Sequence, residues 1–318
     1  SGDRSGSPAR AVNARDNRRM YTWENLLMYN KTFKKDHTLG VTFLQSIQQE
    51  TYEKSEIKVK DLPYENQEWN NVGSAQTIES VSSDYRRWRL ASFMGRVNYN
   101  FKDRYLLTIS ARYDGSSRLA TGHKWVLFPS AAFAWRIKEE SFLKDVDYLS
   151  NLKLRLGWGI TGNTAIDPYK TQGSLSYGRY SYGSNGVLAF YQNEMPNPNL
   201  SWEKTQQWNA GIDFGFLNGR IGGSVDLYLQ NTNDLLMDRQ LPIVSGFGGV
   251  TTNIGKTRNK GLEITLNTIN IDTKDFKWST DVMFSTNKEE IVELYNGKVD
   301  DEGNKWFIGQ PVRHANRG

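Results

Sequence analysis

The chain has 318 residues, and its 40 basic and 35 acidic residues leave a net charge of +5 at pH 7. That excess is too small and too dispersed to indicate a nucleic-acid partner. The sequence contains no cysteine, which excludes disulfides and thiolate metal sites. A mean hydropathy of -0.65 and the lack of any apolar run of about 18 residues exclude a transmembrane helix. The 10 Trp, 16 Tyr, 14 Phe and 28 Gly are typical of a β-rich protein.

The first part of the chain gives only weak signals. Residues 1–19 lack the apolar segment of a secretory signal, so an exported protein would need its signal upstream. Tyr21 to Phe33 and Thr38 to Ile57 alternate loosely between apolar and polar residues. We expect each of these two stretches to contain a strand.

Strict alternation begins near residue 92. From Ser92 to Phe101 nearly every second residue is apolar, and after Lys102-Asp103-Arg104 the pattern resumes from Tyr105 to Tyr113. Two alternating runs joined by three residues predict a hairpin. The same pattern predicts strands at 131–137, 152–161, 207–216, 221–229, 262–267 and 276–285.

The connections between these strands alternate in length. Short ones are expected at 34–36, 102–104, 217–220 and 270–275, and long ones at 58–84, 114–123, 162–203, 233–258 and 288–306. Segment 138–151 is longer than the other short connections, and its apolar spacing predicts a short helix. The strands reach the roughly 9 to 11 residues that cross a bilayer. The sequence therefore predicts an all-β fold, an antiparallel transmembrane β-barrel segment of about ten strands with short periplasmic turns and long extracellular loops.

Two alternatives to an importer remain at this point. A soluble carbohydrate-binding β-sheet domain would show the same alternation, because it buries one face of each sheet. Aromatic residues at the ends of the apolar stripes and glycine-rich polar opposite faces favour the membrane barrel. A surface adhesin with a barrel anchor is the other alternative.

Several motifs resemble those of the SusC/RagA family of TonB-linked outer-membrane transporters. They are Arg112 to Arg118 with Phe128-Pro129-Ser130, Leu154 to Gly159 with Thr161-Gly162-Asn163, Asn197 to Glu203, Asn259 to Glu263, Asn287 to Ile291, and Ile308 to Pro311. They occur in the family's order over nearly the whole chain. The resemblance implies a barrel of about 22 strands that is plugged by an N-terminal domain.

The resemblance also implies a function and partners. Such receptors import oligosaccharides or other large nutrients through the outer membrane of a Gram-negative bacterium, and they work with a SusD-like surface lipoprotein. The implied partners are therefore this lipoprotein, the TonB complex, outer-membrane lipid and a glycan or peptide ligand. Residues 1–318 contain no match to the plug domain, the TonB box or the closing strand. We expect them to be a partial barrel domain, with the TonB contact made by an N-terminal part outside it.

No constellation of catalytic, cofactor-binding or metal-ligating residues is visible, so we predict no enzyme activity and no cofactor. His37, His123 and His314 fall in a turn, a loop and the tail, without the spacing of a metal site or a triad. The pairs Glu139-Glu140 and Glu289-Glu290 lie at turns or loop starts, where solvated carboxylates are expected.

Aromatic residues in the long loops are the candidate ligand or partner contacts. They are Trp69 in the 58–84 loop and Tyr177, Tyr180, Tyr182 and Tyr191 in the 162–203 loop. Exposed aromatics suit stacking on sugar rings or contact with a capping lipoprotein, and packing within the loop is the alternative. Five charged residues are expected to face a polar interior, where their side chains are solvated or paired with one another. They are Arg96, Arg112, Lys153, Arg155 and Asp213.

Overall fold

The structure is a computed structural model that describes residues 9–63, 69–183, 185–294 and 308–309. Over these ranges the chain forms fourteen β-strands and three short 3-10 turns. The strands are β1 (Arg10–Phe33), β2 (His37–Lys60), β3 (Thr77–Phe101), β4 (Tyr105–Ser116), β5 (Trp125–Arg136), β6 (Leu149–Asn163), β7 (Leu175–Tyr182), β8 (Asn185–Gln192), β9 (Glu203–Phe216), β10 (Ile221–Asn233), β11 (Leu236–Gln240), β12 (Gly249–Asn253), β13 (Lys256–Asp272) and β14 (Lys277–Glu293). The 3-10 turns are Val72–Ser74, Ile137–Glu139 and Ile243–Ser245. The described ranges contain no helix with the length and apolarity to span a membrane.

Ten of the strands form one sheet. Their order is β1-β2-β3-β4-β5-β6-β9-β10-β13-β14, so each strand pairs with its neighbour along the chain. The remaining strands form two separate hairpins, β7-β8 and β11-β12, inside the long connections. The predicted antiparallel sheet of about ten strands is confirmed, as is the alternation of tight turns with long connections.

The chain divides into two compact units. One contains residues 1–23 and 47–90, and the other contains residues 24–46 and 91–318. In the first unit, Arg18 pairs with Glu50 at 3.9 Å and lies over the ring of Tyr52. The second unit holds β4 to β14 and every candidate contact residue predicted from the sequence, apart from Trp69.

The two faces of the sheet in the second unit differ sharply in chemistry. The apolar face includes Leu107, Ile109, Leu156, Trp208, Ile212, Leu227, Val282 and Phe284. The polar face includes Lys153, Arg155, Gln207, Asn209, Asp213, Asp226, Gln230, Asn259, Glu263 and Asn287. The cross-strand register aligns these residues, since Leu156 lies opposite Ala210 and Ala210 opposite Leu227.

The apolar face is exposed rather than packed into a core. Trp208 is 51% exposed and Leu227 is 55% exposed. A soluble sandwich would bury such residues against a second sheet, because contiguous exposed apolar surface of this extent marks a surface that another apolar phase covers. The exposure pattern therefore favours a wall in lipid over a soluble domain.

The sequence-based starts of two strands, β1 and β3, were wrong. β1 begins at Arg10 instead of Tyr21, and β3 begins at Thr77, which shortens the predicted 58–84 loop. Alternation detects strands with one continuous apolar face, whereas in these extensions charged and polar residues occur on both faces and interrupt the few apolar ones, such as Val12, Ile78 and Val81. The helix expected at 138–151 is also wrong. A 3-10 turn at Ile137–Glu139 is followed by turns, and the Lys138 Nζ donates to three carbonyls of the segment, which satisfies them without a helix.

Candidate functional site

The long connections start from a buried cluster at the end of the sheet. Leu200 is 0% exposed, Trp202 is 3% exposed, and Leu119 is also buried. The Trp202 indole nitrogen donates to the Lys124 carbonyl at 2.8 Å, and its ring meets Phe128 edge-on with centroids 5.2 Å apart. A buried indole with its N–H satisfied fixes the chain on both sides of it. The cluster therefore gives the loops a rigid base.

Gly162 is required by this cluster. A Cβ at this position would lie 2.1 Å from the Cζ of Phe128 and 2.8 Å from the Cε3 of Trp202. Contacts this short cannot be accommodated without moving a ring. Gly162 and Trp202 both belong to the motifs that resemble the SusC/RagA family, so these motifs have a packing role at the base of the loops.

Side-chain amides join the two longest connections. The Asn253 Oδ1 accepts from the Ser201 backbone at 2.8 Å, and its Nδ2 donates to the Ser201 carbonyl at 2.9 Å. The Asn197 Nδ2 donates to the Thr251 carbonyl at 2.9 Å. Backbone bonds continue the junction, because Met195 donates to the Gly249 carbonyl at 3.0 Å. The connection between β6 and β9 is therefore joined by hydrogen bonds to the connection between β10 and β13.

The predicted contact residues mostly lie on the β7-β8 hairpin. Tyr177 lies opposite Phe190 on one face of the hairpin, whereas Tyr180 and Tyr191 lie on the other face. Tyr177 is 66% exposed and Phe190 is 67% exposed. Their exposure leaves them accessible to a ligand or a partner.

The other two predicted contacts are placed differently. The side chain of Tyr182 lies outside the described residues. Trp69 is exposed and belongs to the connection between β2 and β3, in the other compact unit. The structure therefore brings together Tyr177, Tyr180 and Tyr191 on one element and does not join Trp69 to them.

The hairpin also carries exposed aliphatic residues that the sequence reading did not select. Leu175 and Leu188 lie on the same face as Tyr177, and Val187 lies opposite Tyr180. Both faces of β7-β8 are thus partly apolar and exposed. The alternation of apolar and polar residues cannot reveal such a strand pair, because it detects only strands that have one apolar face and one polar face.

A charge network crosses the polar face of the sheet. Arg155 on β6 contacts Asp213 on β9 at 2.7 Å and Asp226 on β10 at 2.8 Å. Lys153 approaches Asp213 at 3.9 Å. Gly211 makes room for this bridge, since a Cβ there would lie 2.2 Å from the Asp226 Oδ1. The prediction of mutually paired charges on this face is correct for these residues.

The described residues contain no group of three or more His, Cys, Asp and Glu side chains that could hold a metal ion. Of the three histidines, His37 hydrogen-bonds the Tyr99 hydroxyl at 2.6 Å and packs against Phe101. This arrangement places His37 in an aromatic cluster at a turn. His314 lies outside the described residues.

Comparison with known proteins identifies the class. Residues 1–315 match the family model for the TonB dependent receptor-like β-barrel, so the chain belongs to the TonB-dependent receptor family. It is 45% identical to the TonB-dependent receptor SusC of Bacteroides thetaiotaomicron over 221 residues, which cover 67% of this chain and 22% of that protein. It is 34% identical to the TonB-dependent receptor P26 of Formosa agariphila over 300 residues, which cover 94% of this chain and 30% of that protein.

The fold agrees with this membership. The structure of the RagAB peptide transporter superposes with a TM-score of 0.80 at 26% identity, covering 94% of this chain and 33% of that chain. These values support the SusC/RagA-like character that the motifs indicated. The chain spans about a fifth to a third of the length of these relatives. The relatives named here are receptors and transporters.

Proposed function

We propose that this chain forms wall strands and extracellular loops of an outer-membrane importer of large nutrients. In this role the apolar face contacts lipid and the polar face lines the lumen. The observation that carries the proposal is the exposed apolar face opposite a charged and amide-rich face, on strands of a family of membrane receptors. Import, not catalysis, is the activity we assign.

We assign the rest of the receptor to segments other than residues 1–318. Residues 1–318 are one part of the barrel, and the plug domain and the TonB contact belong to the remainder. The small share of each relative that this chain matches supports this division. The outer membrane of a Gram-negative bacterium is the corresponding location.

A SusD-like surface lipoprotein is the partner we assign to the loops. The β7-β8 hairpin offers Tyr177, Phe190 and Leu188 on one exposed face. Exposed aromatic and aliphatic residues on a short rigid element are typical of protein interfaces. The linked connections beneath the hairpin would hold it in place when the lipoprotein docks.

Uptake measurements test this function. The host bacterium would be given a fluorescently labelled polysaccharide hydrolysate in one experiment and a labelled casein hydrolysate in another. We expect the wild-type strain to accumulate the polysaccharide label, and strains without this receptor or without TonB to lose that accumulation. Equal accumulation in all three strains would contradict the proposal.

A further inference from the structure

The first three strands are longer than a bilayer requires. β1, β2 and β3 contain 24, 24 and 25 residues, whereas about 9 to 11 residues of a tilted strand cross the hydrocarbon core. β1 ends beside the tight turn that leads into β2. The proposed function assigns the long connections to the cell exterior, so the halves of these strands opposite the tight turns extend beyond the outer leaflet.

Two contacts establish which residues of these outer halves share a face. Arg18 approaches Glu50 at 3.9 Å and lies over the ring of Tyr52, so even-numbered residues of β1 share a face with even-numbered residues of β2. The Arg89 Nε donates to the Gln49 Oε1 at 2.7 Å, so odd-numbered residues of β2 and β3 share a face. Because successive side chains of a strand point to opposite faces, the odd-numbered residues of all three strands lie on one side.

This side has a strong excess of positive charge. We call the surface formed by the odd-numbered residues of 15–23, 47–55 and 83–89 the arginine face. Its cations are Arg15, Arg19, Arg87 and Arg89, which are all exposed. Glu53 is its one carboxylate within these described stretches. A surface with such an excess attracts anions.

The opposite side of the same stretches is balanced in charge. Arg18 pairs with Glu50, and the Arg86 Nε contacts the Asp84 Oδ2 at 2.7 Å. Lys54 contacts Glu56 at 2.9 Å. The positive excess is therefore a property of one face and does not follow from the composition of the strands as a whole.

Aromatic side chains lie beside the arginines on the arginine face. Tyr21 and Trp23 follow Arg19 at alternate positions of β1, and they are 63% and 70% exposed. Tyrosine and tryptophan are enriched where the hydrocarbon core meets the headgroups. Two residues span roughly 7 Å along a strand, so Arg19 lies one step beyond this level, at the depth of the headgroups.

We infer that the arginine face binds the phosphate groups of lipopolysaccharide in the outer leaflet. The inference rests on the proposed function for the orientation of the strands, and it adds a lipid site on the outside of the receptor. Guanidinium groups form bidentate, charge-assisted hydrogen bonds with phosphate. The acyl chains of the same lipid would contact Tyr21 and Trp23, which a free phosphate ion could not do.

Lipopolysaccharide binding to the full-length receptor in detergent tests the inference. The probes are lipopolysaccharide purified from the host bacterium, the same material after enzymatic dephosphorylation, and inorganic phosphate as a competitor. The test variant combines Arg19→Gln with Arg87→Gln. The matched control combines Arg18→Gln with Arg86→Gln, because it removes the same charge from adjacent positions of the same strands on the opposite face. Heat-modifiable gel mobility checks that each variant is folded.

We expect the test variant to bind lipopolysaccharide about tenfold more weakly than the wild type, and the control to stay within about threefold. Dephosphorylation should weaken binding to the wild type at least about tenfold. Equal binding by the two variants, or undiminished binding of the dephosphorylated material, would overturn the inference. Displacement by an equal concentration of inorganic phosphate would also overturn it, because the site would then be one for free phosphate.

Two further measurements keep the outcome decisive. If the test variant does not fold, the comparison of native with dephosphorylated lipopolysaccharide on the wild type decides. TonB-dependent uptake of the labelled hydrolysates is measured in parallel. Uptake without lipopolysaccharide binding would leave the import function intact and refute the lipid site, whereas lipopolysaccharide binding without uptake would refute the import function alone.

Discussion

At the scale of single residues, glycines decide where large side chains can pack. Gly162 lies beneath Phe128 and Trp202, whereas no atom lies within 4 Å of the position that a Cβ would take at Gly95. The two glycines are therefore a matched pair, one in a tight contact and one in open space.

We predict that Gly162→Ala destabilises the folded receptor by roughly 1–3 kcal/mol, because the new methyl group must displace a buried ring. Gly95→Ala should leave stability unchanged or slightly higher. Thermal unfolding followed by heat-modifiable gel mobility measures both variants. An equal effect of the two substitutions would contradict the packing assigned to Gly162.

Glu140 connects several side chains near the short connection after β5. Its carboxylate accepts hydrogen bonds from the Tyr105 hydroxyl at 2.6 Å, the Trp135 indole at 3.0 Å and Arg104 at 3.3 Å. The hydrogen bond from Tyr105, followed by that from Trp135, holds the pKa of Glu140 below its ordinary value.

A lowered carboxyl pKa gives stability that is present above the ordinary pKa and lost as the pH falls through the folded-state value. We therefore predict that the receptor loses stability on acidification below about pH 4.5, and that Glu140→Gln reduces this loss. Glu139→Gln is the control, because Glu139 is an exposed neighbour that pairs only with Arg136 among the described residues. The unfolding midpoint at pH 7 and pH 3.5 is the measurement. An unchanged pH dependence in Glu140→Gln would rule out this role.

At the scale of elements, the β7-β8 hairpin is distinguished by apolar residues on both exposed faces. Alternation along the sequence located the sheet strands but gave no reason to expect this hairpin within the 162–203 loop. Its strand pairing depends on a turn and on contacts at its base, such as the bond from Asn193 to the Ser174 carbonyl at 3.0 Å. These contacts join residues that are distant in sequence and follow no period.

We predict that the double variant Tyr177→Ser, Phe190→Ser weakens binding of the SusD-like lipoprotein about tenfold, because aromatic residues contribute most of the energy of such interfaces. Tyr148→Ser is the matched control. Tyr148 is 65% exposed, close to the exposure of Tyr177, but it lies in the short connection before β6. Titration calorimetry of the two purified proteins measures the affinities. Equal affinities for both variants would show that this face of the hairpin does not dock the partner.

At the scale of the whole molecule, the repeated alternation was sufficient to predict the antiparallel sheet. It succeeded from Ser92 onwards because each strand there has one apolar and one polar side. It failed at Arg10 to Arg19, where charged and amide residues occur on both sides of the strand and break the alternation, although β1 pairs with β2. The low mean hydropathy of -0.65 is consistent with the exposed apolar face, because polar residues alternate with the apolar ones and fill the long connections.

The row of side-chain amides on the polar face of the sheet could not be predicted from the sequence. Gln207, Gln230 and Asn259 are separated by more than twenty residues along the chain, and the cross-strand register places them in one row. Register depends on turn geometry and on bulges such as the shift between Ile269 and Ile271, which single-strand patterns do not encode.

The most direct test of a lipid-facing wall measures whether alternate residues of β10 are exposed to lipid or to water. The chain contains no cysteine, so a spin label can be attached through single cysteines at 224, 225, 227, 229 and 230. In lipid vesicles, we predict that labels at 225, 227 and 229 are accessible to oxygen and shielded from a water-soluble nickel reagent, with the reverse at 224 and 230. Labels at all five positions that respond equally to the nickel reagent would contradict a lipid-facing wall.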